Sequence, residues 1–110
     1  MNYNIEVTGY FSRQLKLLVK KYPSIKKEMF QLIESLELNP QQGVPLGKDC
    51  YKIRLAITSK GKGKSSGARV ITHVYIFRKT VYLLSVYDKA EQANIPSSVI
   101  DTLIQQLREK

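Results

Sequence analysis

The chain is poor in the residues from which disulfides and metal sites are built. Its 110 residues include one cysteine, Cys50, and one histidine, His73. A single cysteine cannot form an internal disulfide, and we interpret Cys50 as a small buried strand residue. A zinc site needs several cysteines and histidines at short spacings, and no such set is present. We expect His73 to be structural, and we expect no metal ion or other cofactor.

Long apolar segments are also missing. The longest apolar runs are far too short to span a bilayer, so no membrane partner is expected. The first seven residues lack the basic segment followed by an apolar segment that begins a signal peptide. We therefore expect a cytoplasmic protein. The length and a hydrophobic fraction of 43% predict one small domain over residues 1–110.

Acidic side chains are nearly absent from one stretch, residues 48–79. It contains nine lysines and arginines but only one acid, Asp49, and so carries +8 of the chain's formal charge of +9. Such a concentration of positive charge attracts an anionic partner, for example a nucleic acid. A magnesium site is not expected here, because Asp49 and Asp88 are the only nearby carboxylates.

Hydrophobic periodicity predicts helices early in the chain. Residues 3–7 alternate like a short strand, and Thr8 is placed to cap the helix that follows. Apolar residues three and four positions apart then define two amphipathic helices. Pro23 separates them and Pro40 follows the second, so an N-terminal helical hairpin is predicted.

Strand patterns dominate the second half of the chain. Residues 41–47, with Pro45 and two glycines, are interpreted as a loop. The three predicted strands are residues 51–57, 68–77 and 81–87. Their short connections predict an antiparallel meander, and Pro96 introduces a last helix. The predicted fold is therefore α+β with the order β-α-α-β-β-β-α.

One face of the predicted meander gathers cations. Alternation along its first strand places Lys52 and Arg54 opposite the core face. The start of a middle strand lies beside the ends of its neighbours, so we expect Arg69 near Arg54 and Tyr87. The resulting cluster is Lys52, Arg54, Arg69, Tyr87 and Lys89. Arginines stabilise charge on a phosphate, and a crowded lysine or a tyrosine can transfer protons. This chemistry suits metal-free cleavage of RNA by its own 2′-hydroxyl, with plain RNA binding and an ordinary solvated face as the alternatives.

A glycine- and lysine-rich segment connects the first two strands of the meander. Its Gly-Lys-Ser sequence at residues 63–65 is similar to a phosphate loop, but Thr58 replaces a required glycine and a strand follows. We interpret the segment as a basic loop able to grip phosphates. The predicted RNA-binding cations are Lys60, Lys62, Lys64 and Arg78.

These residues together resemble the RelE-type toxins of bacterial toxin–antitoxin pairs, in the RelE/ParE superfamily and closest to its HigB-like branch. The matching pieces are Asn39-Pro40, Gly43 and residues 51–55, 61–71 and 82–89. The resemblance implies a microbial-RNase-like fold with a twisted antiparallel sheet and two N-terminal helices. It implies the toxin of a type II toxin–antitoxin system, an mRNA interferase that enters the ribosomal A site and cuts mRNA during translation.

The resemblance also implies roles for the cluster. Lys52 and Arg54 would orient the substrate or move protons, Arg69 would hold the scissile phosphate, and Lys89 would bind a phosphate. Tyr87 is assigned with them, and the general base stays open. The implied partners are mRNA with the ribosome and its rRNA, and an antitoxin with a helix-turn-helix that links the toxin indirectly to operator DNA. The alternatives are a gyrase-inhibiting ParE-like toxin and a non-catalytic RNA-binding module.

Overall fold

Helices and strands combine in an α+β fold within residues 2–58 and 67–108, the part of the chain that the computed structural model describes. The elements are β1 (Asn4–Val7), α1 (Gly9–Lys21), α2 (Ile25–Leu38), β2 (Val44–Gly47), β3 (Cys50–Leu55), β4 (Ala68–Tyr75), β5 (Thr80–Asp88) and α3 (Ser97–Arg108). The predicted order is confirmed, with the short strand β2 as an addition. No helix among the described residues is long and apolar enough to cross a membrane.

The sheet has the strand order β1-β5-β4-β3-β2. The antiparallel pairing predicted for the sheet holds for β2 through β5, and the meander is confirmed. The sheet as a whole is mixed, because β1 runs parallel to β5. A period of two in the sequence identifies a strand but carries no information about the direction of its neighbour, so this pairing had to come from the structure.

Strand β2 lies in the segment that was predicted to be a loop. It pairs with β3 from Val44, opposite Lys52, to Gly47, opposite Cys50. Proline and glycine hide the strand in the sequence, yet an edge strand tolerates both. Gly43 makes the approach possible: its φ is +97°, and a Cβ there would lie 2.4 Å from the Lys52 carbonyl oxygen.

The helical hairpin covers one face of the sheet. Thr8 caps α1 as predicted, because its hydroxyl accepts a hydrogen bond from the Phe11 N–H at 3.1 Å. Buried side chains of α1 and α2 meet the inward side chains of β3, β4 and β5. The core under the hairpin includes Phe11, Leu18, Ile25, Met29, Leu36, Ile53, Leu55, Val70, Val74, Leu83 and Val86.

Helix α3 covers part of the opposite face. Its buried residues Ile100, Leu103 and Ile104 pack with sheet residues that include Ile71 and Tyr87. The strand pattern alone suggested that the face carrying the predicted cluster is fully open. The packing of α3 shows that part of this face is covered. The apolar stripe of α3 predicts an amphipathic helix but does not say which face of the sheet it covers.

Candidate functional site

Three of the predicted site residues form one row across the sheet. Arg54 of β3 pairs with Arg69 of β4, and Arg69 pairs with Tyr87 of β5. Directly opposed residues of neighbouring strands project from the same face with Cβ atoms about 5 Å apart. The row is therefore a compact set of two guanidinium groups and a phenol, which confirms the predicted proximity of these side chains.

Lys52 stands next to this row. It lies two residues before Arg54 on the same strand and pairs with Ile71 of β4. Its ammonium group donates a hydrogen bond of 3.4 Å to the side-chain oxygen of Asn94, in the segment between β5 and α3. Lys52, Tyr87 and Asn94 share the wall of a cavity of about 170 Å³. The cavity runs from the turn between β2 and β3 to the N-terminal part of α3.

Burial differs sharply along the row. Arg54 is exposed, whereas Arg69 is 3% exposed and Tyr87 is 4% exposed. An Arg69 guanidinium N–H donates to the carbonyl of Ala68 at 3.0 Å. The Tyr87 hydroxyl is buried and has no hydrogen-bond partner within the described part of the chain.

The electrostatics of the row favour an anion. Burial lowers the pKa of Arg69, and the positive charge of Arg54 lowers that pKa further. Two like charges facing each other from adjacent strands are unfavourable, and a phosphate between them removes the repulsion. Burial raises the pKa of Tyr87, and Arg69 only partly opposes that rise. Tyr87 is therefore a neutral phenol at neutral pH, suited to donating a proton or a hydrogen bond.

Lys89 follows the end of β5, two residues after Tyr87. Its backbone N–H donates to the Gly67 carbonyl at 3.1 Å, which ties the end of β5 to the start of β4. Its side chain is exposed. Gly67 is required for this arrangement, because a Cβ there would lie 2.3 Å from the Leu55 carbonyl oxygen. The close approach of the chain at Gly67 to β3 brings Lys89 to the same end of the sheet as Arg69.

Arg78 lies away from this cluster. It belongs to the turn after β4, at the opposite end of the strand from Arg69. Six residue-to-residue steps along β4 lead from Arg69 to Tyr75, which is about 20 Å at the rise of an extended chain. The structure therefore does not bring Arg78 together with the row. Lys60, Lys62 and Lys64 lie outside the described residues.

His73 is buried, and its structural role stays a prediction. Its Nδ1 lies 3.5 Å from the Cys50 sulfur, and its ring stacks against Tyr82 with centroids 6.4 Å apart. Cys50 is buried, as predicted. Among the residues that the structure describes, no group of three or more histidine, cysteine, aspartate or glutamate side chains is placed to hold a metal ion.

Two residues that bond to a site side chain or to the strand carrying one were missed at the level of sequence. Asn94 reaches Lys52 from a polar segment that has no periodicity, so no signal in the sequence marked it. Gln14 bonds to the strand that carries Tyr87. It did leave a signal: it lies three residues after Phe11 and four before Leu18, which puts a polar side chain on the buried stripe of α1.

Solved toxin structures are similar to this chain, although no family model matches it. A double arginine-to-alanine variant of the E. coli toxin RelE in the free state matches with a TM-score of 0.63 and 21% identity, over 96% of this chain and 98% of that chain. The intact E. coli RelBE toxin–antitoxin complex matches with a TM-score of 0.51 and 23% identity, over 78% of this chain and 95% of that one. A metal-bound toxin from Helicobacter pylori matches with a TM-score of 0.52 and 19% identity, over 82% of this chain and 98% of that one. The chain therefore has a RelE-like toxin fold.

Proposed function

We propose that this protein is the toxin of a type II toxin–antitoxin pair and cuts mRNA on the ribosome. The observation that carries the proposal is the row of Arg54, Arg69 and Tyr87 with Lys52 beside it. A RelE-like fold supports it independently. The assignment to the HigB-like branch stays a prediction from sequence.

The row suits a reaction in which the RNA supplies its own nucleophile. The 2′-oxygen attacks the adjacent phosphorus, the bond to the 5′-oxygen breaks, and the products carry a 2′,3′-cyclic phosphate and a 5′-hydroxyl. Arg54 and Arg69 stabilise the negative charge that grows on the phosphoryl oxygens. Lys89 adds a phosphate contact at the same end of the sheet.

Proton transfers fall to the remaining members of the cluster. Because burial raises its pKa, Tyr87 fits a donor to the leaving 5′-oxygen better than a base. Lys52, held by Asn94, orients the substrate or takes part in the transfer. The base that activates the 2′-hydroxyl is not assigned, and the candidates are Lys52 and a group of the ribosome or the substrate.

An antitoxin is the proposed protein partner. The E. coli RelE toxin was crystallised in the intact RelBE complex, and a double arginine-to-alanine variant of it was solved in complex with a peptide of the antitoxin RelB. By analogy we propose a cognate antitoxin, and from the sequence resemblance we propose that it carries a helix-turn-helix, which would also connect this chain to operator DNA. Strong positive charge favours fast capture by an acidic partner. The proposed substrate places the protein in the cytoplasm with the ribosomes.

The test is cleavage of a defined mRNA by the purified protein, with and without ribosomes programmed with that mRNA. New ends are mapped by primer extension, and their chemistry is read from whether a kinase labels them directly. The proposal expects discrete cuts only with ribosomes, leaving 5′-hydroxyl ends. If the protein cuts the mRNA neither with nor without ribosomes, the proposed nuclease activity is wrong. DNA breakage with gyrase would then support the ParE-like alternative, and RNA binding alone would support a non-catalytic module.

A further inference from the structure

The pairing of β4 with β5 is irregular at one place, and this place decides where Tyr87 points. Ile71 pairs with Ser85, but the next residue, Thr72, pairs with Leu83. Leu84 is therefore an extra residue in β5, which makes a β-bulge. A bulge of one residue reverses the faces occupied by all side chains that follow it.

The packing shows this reversal directly. Leu83, just before the bulge, packs in the core under the hairpin, and Leu84, the extra residue, packs on the α3 side. Strict alternation from these residues would point Val86 toward α3 and Tyr87 toward the hairpin. Instead, Val86 lies in the hairpin core and Tyr87 lies on the α3 side, opposite Arg69. Without the bulge the phenol would leave the row.

Gln14 of α1 holds the backbone at the bulge. Its side-chain oxygen accepts hydrogen bonds from the Ser85 hydroxyl at 2.9 Å and from the Val86 N–H at 3.0 Å. β1 pairs with β5 only as far as Leu83, so the edge of β5 beyond that point needs another acceptor. Thr8 follows directly after the last paired residue of β1, and its hydroxyl donates to the Leu83 carbonyl at 3.0 Å.

We propose that Gln14 is a positioning residue for the reaction, since it stabilises the bulge that turns Tyr87 toward Arg69. A backbone N–H without an acceptor in a packed environment is unfavourable. Loss of Gln14 therefore favours a different path for β5, in which the Val86 N–H finds another partner and Tyr87 turns away. The inference rests on the proposed RNA cleavage.

The test compares Gln14→Met, which removes the acceptor at similar size, with Gln14→Glu, which keeps an oxygen in its place. Gln31→Met makes the same change at an exposed position of α2 and serves as the control. Two properties are measured on each folded protein. One is the single-turnover cleavage rate on programmed ribosomes, and the other is the nuclear Overhauser contact between the Tyr87 ring and the Arg69 side chain.

Gln14→Met is expected to lose the contact between Tyr87 and Arg69 and to cleave about 100-fold more slowly, the size of effect that a small misplacement of a reacting group produces. Gln14→Glu is expected to keep both the contact between Tyr87 and Arg69 and the cleavage rate. Gln31→Met is expected to match the unmodified protein in both. If Gln14→Met does not fold, Gln14→Leu is assessed by the same measurements.

The inference is overturned if Gln14→Met keeps the contact between Tyr87 and Arg69, whatever its cleavage rate. It is also overturned if the contact is lost while the rate is unchanged, because Tyr87 would then have no part in the reaction. A protein that cuts no RNA at all refutes the proposed function instead. The nuclear Overhauser comparison would still decide whether Gln14 directs Tyr87.

Discussion

At the scale of single residues, the site depends on where charge is placed and how deeply it is buried. Arg54 is exposed while its cross-strand partner Arg69 is almost fully buried. A buried cation is costly to keep, and it interacts strongly with an anion because the surroundings screen it poorly. We therefore expect Arg69 to contribute more to stabilising a phosphate in the transition state than any exposed lysine of the chain.

Replacing Arg69 is the sharpest test of this expectation. Arg69→Met should lower the single-turnover cleavage rate on programmed ribosomes by about 10²–10³-fold, as loss of one transition-state donor does in other enzymes. The cleavage rate of Arg69→Lys should lie between the rates of the unmodified protein and of Arg69→Met, because an ammonium keeps the charge but not the paired N–H groups. Arg13→Met, at an exposed arginine of α1, is the matched control. Thermal unfolding checks each fold, and a normal rate for folded Arg69→Met would contradict the assignment.

Cys50 allows a test of burial through pH. Burial raises the pKa of its thiol to about 11, and the charge of Asp49 adds to this rise. In the unfolded chain the thiol ionises near its ordinary pKa of about 8.5–9. Because the folded-state pKa is the higher one, the stabilisation from the buried thiol is complete below pH of about 8.5 and is lost as the pH rises toward 11.

The measurement is urea unfolding of the chain and of Cys50→Ala from neutral to alkaline pH under reducing conditions. The difference in unfolding free energy between the two should be constant near neutral pH. It should then shrink by roughly 2–3 kcal/mol across the window between the two pKa values, at about 1.4 kcal/mol per pKa unit. A constant difference throughout would mean that the thiol is not desolvated.

At the scale of elements, the edge strand β2 fixes the backbone of β3 on which Lys52 stands. Its approach depends on Gly43, whereas Gly47 has open space around it. Both glycines have positive φ values, +97° and +88°. They therefore share the penalty for a side chain in this conformation and differ in the clash that Gly43 alone would have with the Lys52 carbonyl and the Ile53 side chain.

This pair gives a controlled comparison. Gly47→Ala should destabilise the protein by about 1–2 kcal/mol, from backbone strain alone. Gly43→Ala should destabilise it by clearly more, because β2 must also move away from β3. Denaturant unfolding of both variants measures the difference. Equal losses of stability would mean that the contact of β2 with β3 is not tight.

Element boundaries and types were largely predictable, because they follow from local patterns. The apolar stripes of the helices, the cap at Thr8 and the alternation of β3 and β4 all depend on residues close together in sequence. Strand β2 was not predictable, since Pro45 and its flanking glycines erase the alternation. The bulge at Leu84 was not predictable either, because it requires a partner, Gln14, about seventy residues away.

At the scale of the whole molecule, the charge that is concentrated in sequence is divided in space. Arg54, Arg69 and Lys89 lie at one end of the sheet, while Arg78 and Lys79 lie at the other, about 20 Å away along β4. This separation exceeds the Debye length of about 8 Å at physiological ionic strength. The two basic regions therefore act on a bound polyanion as separate surfaces.

Salt dependence of RNA binding tests whether the cations beside the row form a binding surface of their own. For a single-stranded RNA oligonucleotide, each phosphate contact contributes about 0.7 to the slope of log affinity against log salt concentration. The double variant Lys52→Gln with Arg54→Gln should lower that slope by about 1.4, measured by fluorescence anisotropy. The matched double variant Lys26→Gln with Lys27→Gln, on exposed positions of α2, should leave the slope unchanged. Equal effects would mean that only the net charge matters.

The sequence by itself determined the α+β class, the element order, and the presence of Lys52, Arg54 and Arg69 on one face of a meander. These follow from periodicity and from short connections, which are local properties of the chain. Only the tertiary structure decided that β1 joins in parallel, that α3 covers part of the cationic face, and that a bulge at Leu84 sets the face on which Tyr87 lies. Each of these depends on contacts between segments far apart in sequence, and local patterns do not encode such contacts.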